Sequence, residues 1–436
     1  MAETSDDQAV GCCEPSYGEV ALKACAALSS ALAAGLLSED DTAAVVYDLD
    51  GLDARLQRIQ DNFPAGALHA VAVKAAPLAA LLERVVSRGA GLEAASLPEL
   101  HMALTAGCPP ERIVFDSPAK TRSELRQAVE LGVHLNADNF QELERLDEIV
   151  PSEPKGRGSL GLRVNPQVGL GSIAATSVAG EYSKFGEPVS GREEIIEAFA
   201  RRPWLTGLHM HVGSQGCGLD LFTRAARILL DLRRDIHAAC GREQITRLDL
   251  GGGLPVRYAP EQGAPSMGDY SDALRRECPE LFDGGLRVFT EFGRWVFANQ
   301  AFAASRVEYV KQQPGYRTAV VHLGADMFLR PCYAPQSWRH EIVAAGPDGA
   351  LKQGPVGVWN VAGPLCFSGD FLAKSRPLPD LSPGDHLILL DAGAYTMGMW
   401  SRYNSRQMPV VLGFEGGTPR VLKKRETLEQ VLDFWK

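Results

Sequence analysis

The stretch "ALHAVAVKAAPLAALLERVVSRG" (67–89) carries two periodicities back to back. Its first part, "ALHAVAVK" (67–74), is a short run of small and β-branched residues, the composition of a strand buried on both faces. Its second part, "PLAALLERVVSRG" (77–89), spaces its apolar residues at helical intervals and closes on a glycine suited to a left-handed cap. Strand then helix is the repeating unit of a parallel α/β fold. Between the two stands Lys74, a cation at the end of a core element, where burial of charge is costly.

Working outward, the same unit recurs. Further strand-like runs are "GLEAAS" (91–96), "RIVFDS" (112–117), "GVHLNAD" (132–138), "LGLRVNP" (160–166), "LTGLHMHVGS" (205–214), "RLDLGGG" (247–253) and "LRVFTEFG" (286–293). Helical spacers separate most of them: 97–107, 123–132, 139–150, 192–202 and 221–239. Eight strands alternating with helices predict a (β/α)8 TIM-type barrel. An open doubly wound sheet stays a second reading of this pattern alone. The segment "PSEPKGRGS" (151–159) reads as a loop.

After residue 300 the helical spacers vanish, and runs such as "YRTAVVHLG" (316–324), "VGVWNVAG" (356–363) and "DHLILLDAG" (385–393) alternate with Gly/Pro turns. That pattern predicts a C-terminal antiparallel β domain. The expected division is 1–52, an N-terminal helix and strand docking on the β domain; 53–300, the barrel; and 301–436, the β domain. "AAVVYDLDGL" (43–52) is the strand, "VALKACAALSSALAAGLL" (20–37) a docking helix, and "ETLEQVLDFW" (426–435) a terminal helix.

Composition narrows the class. The chain has 436 residues, 45% apolar, ample for a large core, and a net charge of −10 that argues against a nucleic-acid surface. No run is apolar enough for a membrane span, and the acidic start "MAETSDDQ" does not suit a signal peptide. Nine scattered cysteines, an odd number without metal spacing, fit a reducing, cytoplasmic setting and predict no metal site.

In such a barrel the working face is the C-terminal end of the strands. Polar residues gather there: Lys74, Glu93, Arg163, His211, the run Gly251, Gly252, Gly253, then Glu291 and Arg294. The glycines would let backbone amides approach an anion, and Arg294 beside them strengthens an anion site. A lysine held near its neutral amine form at a pocket mouth can join a carbonyl compound covalently. Alone, Lys74 reads as a salt-bridged rim residue; with a phosphate cradle and a carboxylate it suggests pyridoxal 5′-phosphate. His209 reads as a strand residue in the barrel wall, and Glu93 equally as a salt-bridge partner.

The motifs "AVKAAP", "GLEAASLPEL", "LRVNP", "SKFG", "HMHVGSQ", "DLGGGLP", "EFGR", "GPLCFSGD" and "DAGAYTMGMWSRYNSR" stand in this order between about 43 and 415. Together they resemble the fold-type III pyridoxal-phosphate decarboxylases, most closely the diaminopimelate decarboxylase branch. The resemblance implies that Lys74 carries the cofactor, that His211 stacks on its ring and that Glu291 faces the ring nitrogen. Ser214, Gly251 to Gly253, Gly293, Arg294 and Tyr395 fall at the phosphate, and Arg163 near the 3-hydroxyl. Cys366 matches the cysteine that a second subunit supplies to protonate the substrate carbon, so a homodimer with shared sites is implied. Arg330 matches the arginine that grips a distal carboxylate.

The chain also departs from that pattern. Ala76 and Phe292 replace the usual Asn and Pro. Phe367 stands where these decarboxylases carry a glutamate for the substrate's distal amine, and an aromatic ring cannot pair with an ammonium as a carboxylate does. Tyr333 comes one residue early in "RPCY". The expected activity is diaminopimelate decarboxylase-like decarboxylation of an amino acid; the departures put meso-diaminopimelate in doubt and leave another amino acid, free or conjugated, open as the substrate. The alternatives are an amino-acid racemase, against which Glu291 argues, and a non-catalytic homologue, against which Lys74 and Cys366 argue.

Overall fold

The computed structural model describes residues 15–150 and 158–436. The acidic start, Cys12 and Cys13, and most of the loop expected at 151–159 lie outside the described residues.

The chain opens with helix α1 (Tyr17–Ala33), started by a capping box between Ser16 and Glu19. Strand β1 (Ala43–Asp48) follows. The strand expected to run to 52 stops at Asp48, whose carboxylate accepts the Gly51 N–H (3.2 Å) and caps helix α2 (Leu49–Asn62).

The barrel then forms as β2 (Leu68–Ala72), α3 (Ala79–Ser87), β3 (Gly91–Ala94), α4 (Leu97–Thr105), β4 (Ile113–Asp116), α5 (Arg122–Leu131), β5 (His134–Ala137), α6 (Phe140–Asp147) and β6 (Ser159–Asn165). A two-residue strand β7 (Glu187–Pro188) pairs with β6. The barrel continues with α7 (Arg192–Arg201), β8 (Leu205–His209), α8 (Leu219–Cys240), β9 (Arg247–Asp249), α9 (Met267–Glu277), β10 (Arg287–Thr290) and the short α10 (Arg294–Phe297). The eight main strands are parallel in the order β5-β4-β3-β2-β10-β9-β8-β6, and the β5–β6 pairing closes the ring. The open-sheet reading is thereby excluded.

Strands β8 and β9 are shorter than their apolar runs. They end at His209 and Asp249, so His211 and Gly251 to Gly253 lie just beyond the sheet. Gly251 (φ +65°) and Gly253 (φ +104°) turn the chain into a region that strands do not occupy.

The rest is two sheets: β11 (Ala301–Arg306), β12 (Tyr309–Gln313), β13 (Tyr316–Val320), helix α11 (Leu329–Tyr333), β14 (Ile342–Ala345), β15 (Val356–Ala362), β16 (Phe371–Pro379), β17 (His386–Leu389), β18 (Val410–Glu415) and β19 (Thr418–Lys423), then helix α12 (Leu428–Phe434). The larger sheet runs β14-β17-β11-β1-β18-β19 and the smaller β12-β13-β15-β16. Pairing is antiparallel except for β1–β18 and β13–β15. Strand β1 sits in the middle of the larger sheet although it precedes the barrel in sequence. Helix α1 lays Ala24, Ala27, Leu28 and Ala31 on that sheet against Val46, Ile388 and Leu412. Small residues on the buried face let the helix approach closely. Leu28, fully buried, contributes roughly 1.5–3 kcal/mol.

Candidate active site

Lys74 stands in a single helical turn, Val73–Ala75, directly after β2. Its Nζ donates to Glu93 Oε2 at 2.5 Å, and Glu93, in β3, is fully buried. Burial works against the ammonium, but Glu93, with Tyr395 and Glu291 behind it, raises the Lys74 pKa above its ordinary value. Glu93 thus favours the ammonium form over the near-neutral amine of the sequence reading. In turn burial pushes the Glu93 carboxyl up to about 8, against the pull of Lys74.

Below this pair lies a layer of buried ionisable groups contributed by neighbouring strands. Arg163 of β6 donates through Nη1 to Asp116 Oδ2, at the end of β4, at 3.0 Å. Its guanidinium lies over the Phe185 ring, 4.5 Å from the centroid. His209, the last residue of β8, brings Nε2 to 3.4 Å from Glu291 Oε2 and 3.7 Å from Asp116 Oδ2. It faces the carboxylates inside the barrel and is more than a wall residue. His211 places Nδ1 3.8 Å from the same Glu291 oxygen and accepts the Gly252 N–H at 3.2 Å. Asp249 accepts the Gly251 N–H at 2.9 Å. Glu93 Oε1, Asp116 Oδ1 and Glu291 Oε1 are buried without a hydrogen-bond partner. Such atoms are costly unless something completes them.

Beside the layer is a basic corner. Arg294, buried at the start of α10, donates through Nε (3.3 Å) and Nη2 (3.2 Å) to Ser214 Oγ and through Nη1 to Tyr258 Oη (2.7 Å). The Tyr395 ring lies 4.6 Å from the Arg294 guanidinium and 4.7 Å from that of Arg330, which also stacks on Trp338 at 4.6 Å. Tyr395 has φ +57°, held there by its N–H donating to Ala75 O at 2.8 Å. Burial and the Arg294 charge push Arg330 down to about 10, and no carboxylate pairs with it among the described residues.

The three glycines make room more than they donate. The Gly251 and Gly252 N–H groups donate to Asp249 Oδ1 and His211 Nδ1. A Cβ on Gly252 would come within 2.1 Å of Glu291 O, and one on Gly253 within 1.9 Å of Gly213 O. Gly293 is equally tight: a Cβ there would meet Ala72 and Ala75 Cβ at 2.9 Å.

Three predicted residues lie apart. Cys366 is exposed after β15; its N–H donates to Asn404 Oδ1 and its carbonyl accepts from Tyr403 Oη, each at 2.9 Å. None of its contacts reaches Lys74. Phe367 stacks on Tyr333, centroids 5.0 Å apart and planes at 11°. Sequence reasoning missed Asp116, Asp249, Tyr258 and Trp338. The aspartates were findable, since "RIVFDS" and "RLDLGGG" put them at strand ends; the two aromatics reach the site from separate loops and carried no local signal. A cavity apart from these residues lies between α1 and α2, among Tyr17, Lys23, Asp48 and Arg257.

A lysine at the barrel mouth, a buried carboxylate with one free oxygen, and a Ser–Arg corner beside crowded glycines fit one cofactor, pyridoxal 5′-phosphate. The orphaned Glu291 Oε1 suits a protonated ring nitrogen, and Arg294 with Ser214 suits a phosphate. Fold and site thus define a barrel-type pyridoxal-phosphate enzyme.

Comparison with known proteins agrees. The profile described as "Pyridoxal-dependent decarboxylase, pyridoxal binding domain" matches residues 49–298. Diaminopimelate decarboxylase of Pseudomonas aeruginosa is 34% identical, covering 89% of this chain and 92% of its own. That of Methanothermobacter thermautotrophicus is 32% identical over 83% of each. The crystal structure of the Helicobacter pylori diaminopimelate decarboxylase complexed with L-lysine superposes with a TM-score of 0.80 at 27% identity, covering 90% of this chain and 96% of that one. The chain belongs to the diaminopimelate decarboxylase family of pyridoxal-dependent decarboxylases. It is a carboxy-lyase and its cofactor is pyridoxal 5′-phosphate. No helix among the described residues is long and apolar enough to cross a membrane.

Proposed function

We propose that this enzyme removes the α-carboxylate of an amino acid whose far end is acidic and is not the free ammonium-bearing end of meso-diaminopimelate. The carrying observation is the Tyr333–Phe367 stack. Phe367, matched by resemblance to the family's carboxylate for the distal amine, is a ring packed on a second ring and carried on the same loop as Cys366, while Arg330 stands without a carboxylate partner among the described residues. A carbonyl- or acyl-linked amino acid satisfies both features.

When bound, the cofactor supplies an aldehyde for attachment and a protonated ring that withdraws electrons as carbon dioxide leaves. Lys74 is its point of attachment, and Glu93 Oε2 takes the proton that Lys74 Nζ must shed to become a nucleophile. Glu291 holds the ring-nitrogen proton through Oε1. His211 would stack on the ring, and Arg163 would hold its hydroxyl side. Ser214, Gly253, Gly293, Arg294 and Tyr395 receive the phosphate, with Gly251 and Gly252 supplying space. Cys366 is the acid that returns a proton to the α-carbon of a substrate held by a second copy of the chain. Its exposure, on a loop apart from its own Lys74, supports a homodimer with shared sites. A cytoplasmic location goes with the unpaired cysteines.

The test is carbon dioxide release from a panel of free and N- or ω-acylated amino acids, L, D and meso. We expect a conjugated or distally acidic amino acid to exceed meso-diaminopimelate. Phe367→Glu should raise kcat/KM for meso-diaminopimelate by about 10–100-fold, one charge-assisted hydrogen bond. Best activity on meso-diaminopimelate in the unaltered enzyme defeats the proposal, and racemisation without carbon dioxide defeats the activity.

A further inference from the structure

We propose that His209, as an imidazolium, is the positioning residue for Glu291: it fixes Oε2, so that Oε1 alone is offered to the cofactor ring. The inference rests on the reading of Glu291 given above.

The geometry assigns the part to His209 and not to its neighbour. Both imidazoles approach Glu291 Oε2, at 3.4 Å from His209 Nε2 and 3.8 Å from His211 Nδ1. His211 Nδ1 already accepts the Gly252 N–H, so it has no proton to give Glu291. His209 is fully buried and its ring nitrogens have no hydrogen-bond partner, while its Nε2 lies within ion-pair reach of Glu291 Oε2 and Asp116 Oδ2 together. Asp116 is anchored from behind by Arg163. The result is a line of alternating charge across the barrel: Arg163, Asp116, His209, Glu291.

Other titratable groups flank the line. Asp249 of β9 is pushed well above the usual carboxylate range by burial and by Glu291. His134 of β5 is pushed down to about 3 by burial and Arg247, so it is neutral. Burial also lowers His211. Within the line, Asp116 and Glu291 face Arg163 and His209. Burial opposes the charge on His209, but Asp116, Glu291 and Asp249 outweigh it and push the imidazole up to about 9. Glu291 is correspondingly held well below its usual range: burial opposes this and His209 is the first group that brings it about. An ionised Glu291 with one oxygen fixed can hold the ring-nitrogen proton on the other.

Three variants and three readouts test this. In cofactor-loaded protein, the pH midpoint of the visible absorption band should fall by about one unit in His209→Leu, because the ring proton is held less tightly. Cofactor affinity, from equilibrium dialysis, should weaken about tenfold, the scale of one hydrogen bond. His209→Gln, with a donor and no charge, should recover the affinity and not the midpoint. Glu291→Gln should move the midpoint as well. If it does and His209→Leu does not, the role of His209 is overturned and that of Glu291 stands; if Glu291→Gln moves nothing, both fall. The 15N spectrum of histidine-labelled full-length protein, with the His209 signals assigned as those lost in His209→Gln, should show the His209 ring charged at pH 8. A neutral ring at pH 7 overturns the proposal.

Discussion

Lys74 and Glu93 set the chemistry at the residue scale. The 2.5 Å contact makes Glu93 both the clamp that keeps Lys74 charged and the acceptor positioned to relieve it. The two roles can be separated. Lys74→Ala should leave no peptide mass shift after borohydride treatment of cofactor-loaded protein. Glu93→Gln should still take up pyridoxal 5′-phosphate, but its visible band should grow roughly 100-fold more slowly after mixing, since general-base help is worth about 10²–10⁴. An unchanged rate in Glu93→Gln would assign the proton to another acceptor.

At the scale of elements, the loop after β9 is packed against the loop after β10. A Cβ on Gly252 would sit 2.1 Å from the Glu291 carbonyl oxygen, a backbone atom that cannot swing aside. Gly252→Ala should therefore push the two loops apart. We expect a loss of about 1–3 kcal/mol in urea unfolding, the usual cost of overpacking. Weaker cofactor binding should follow, because Glu291 moves with its backbone. Gly263→Ala, where an added Cβ meets nothing within 4 Å, is the matched control and should leave both unchanged. Equal behaviour of the two variants would remove the crowding argument.

At the scale of the whole molecule, the proposed sharing of sites turns on Cys366, which sits on an exposed loop apart from Lys74. Lys74→Ala and Cys366→Ala should each be nearly inactive alone. Mixed in equal amounts and allowed to exchange subunits, they should regain about one quarter of normal activity, since random pairing gives half heterodimers with one intact site each. Sedimentation of the unaltered enzyme should give twice the chain mass. Additive, unrescued inactivity in the mixture would place Lys74 and Cys366 in the same chain's site.

The barrel was legible in the sequence because its signal is local. Each strand and its helix announce their own period, as at 67–89, and burial on both faces leaves continuous apolar runs. The strand-end residues Lys74, Glu93, Arg163 and Glu291 were legible for the same reason. The second domain was only partly so: β12, "YVKQQ", and β16, with two prolines, lack the alternation that betrays a strand, because much of their surface is exposed. Other features depend on which residues meet across the barrel. The charge on Lys74, the engagement of His209 with Glu291, the amides of Gly251 and Gly252 already taken, and the place of β1 inside a sheet formed 250 residues later are of this kind. Local periodicity tells what each segment is; Coulomb interaction and hydrogen bonding act over a few ångströms, so only closure of the ring, which brings distant segments that near, decided what each group does.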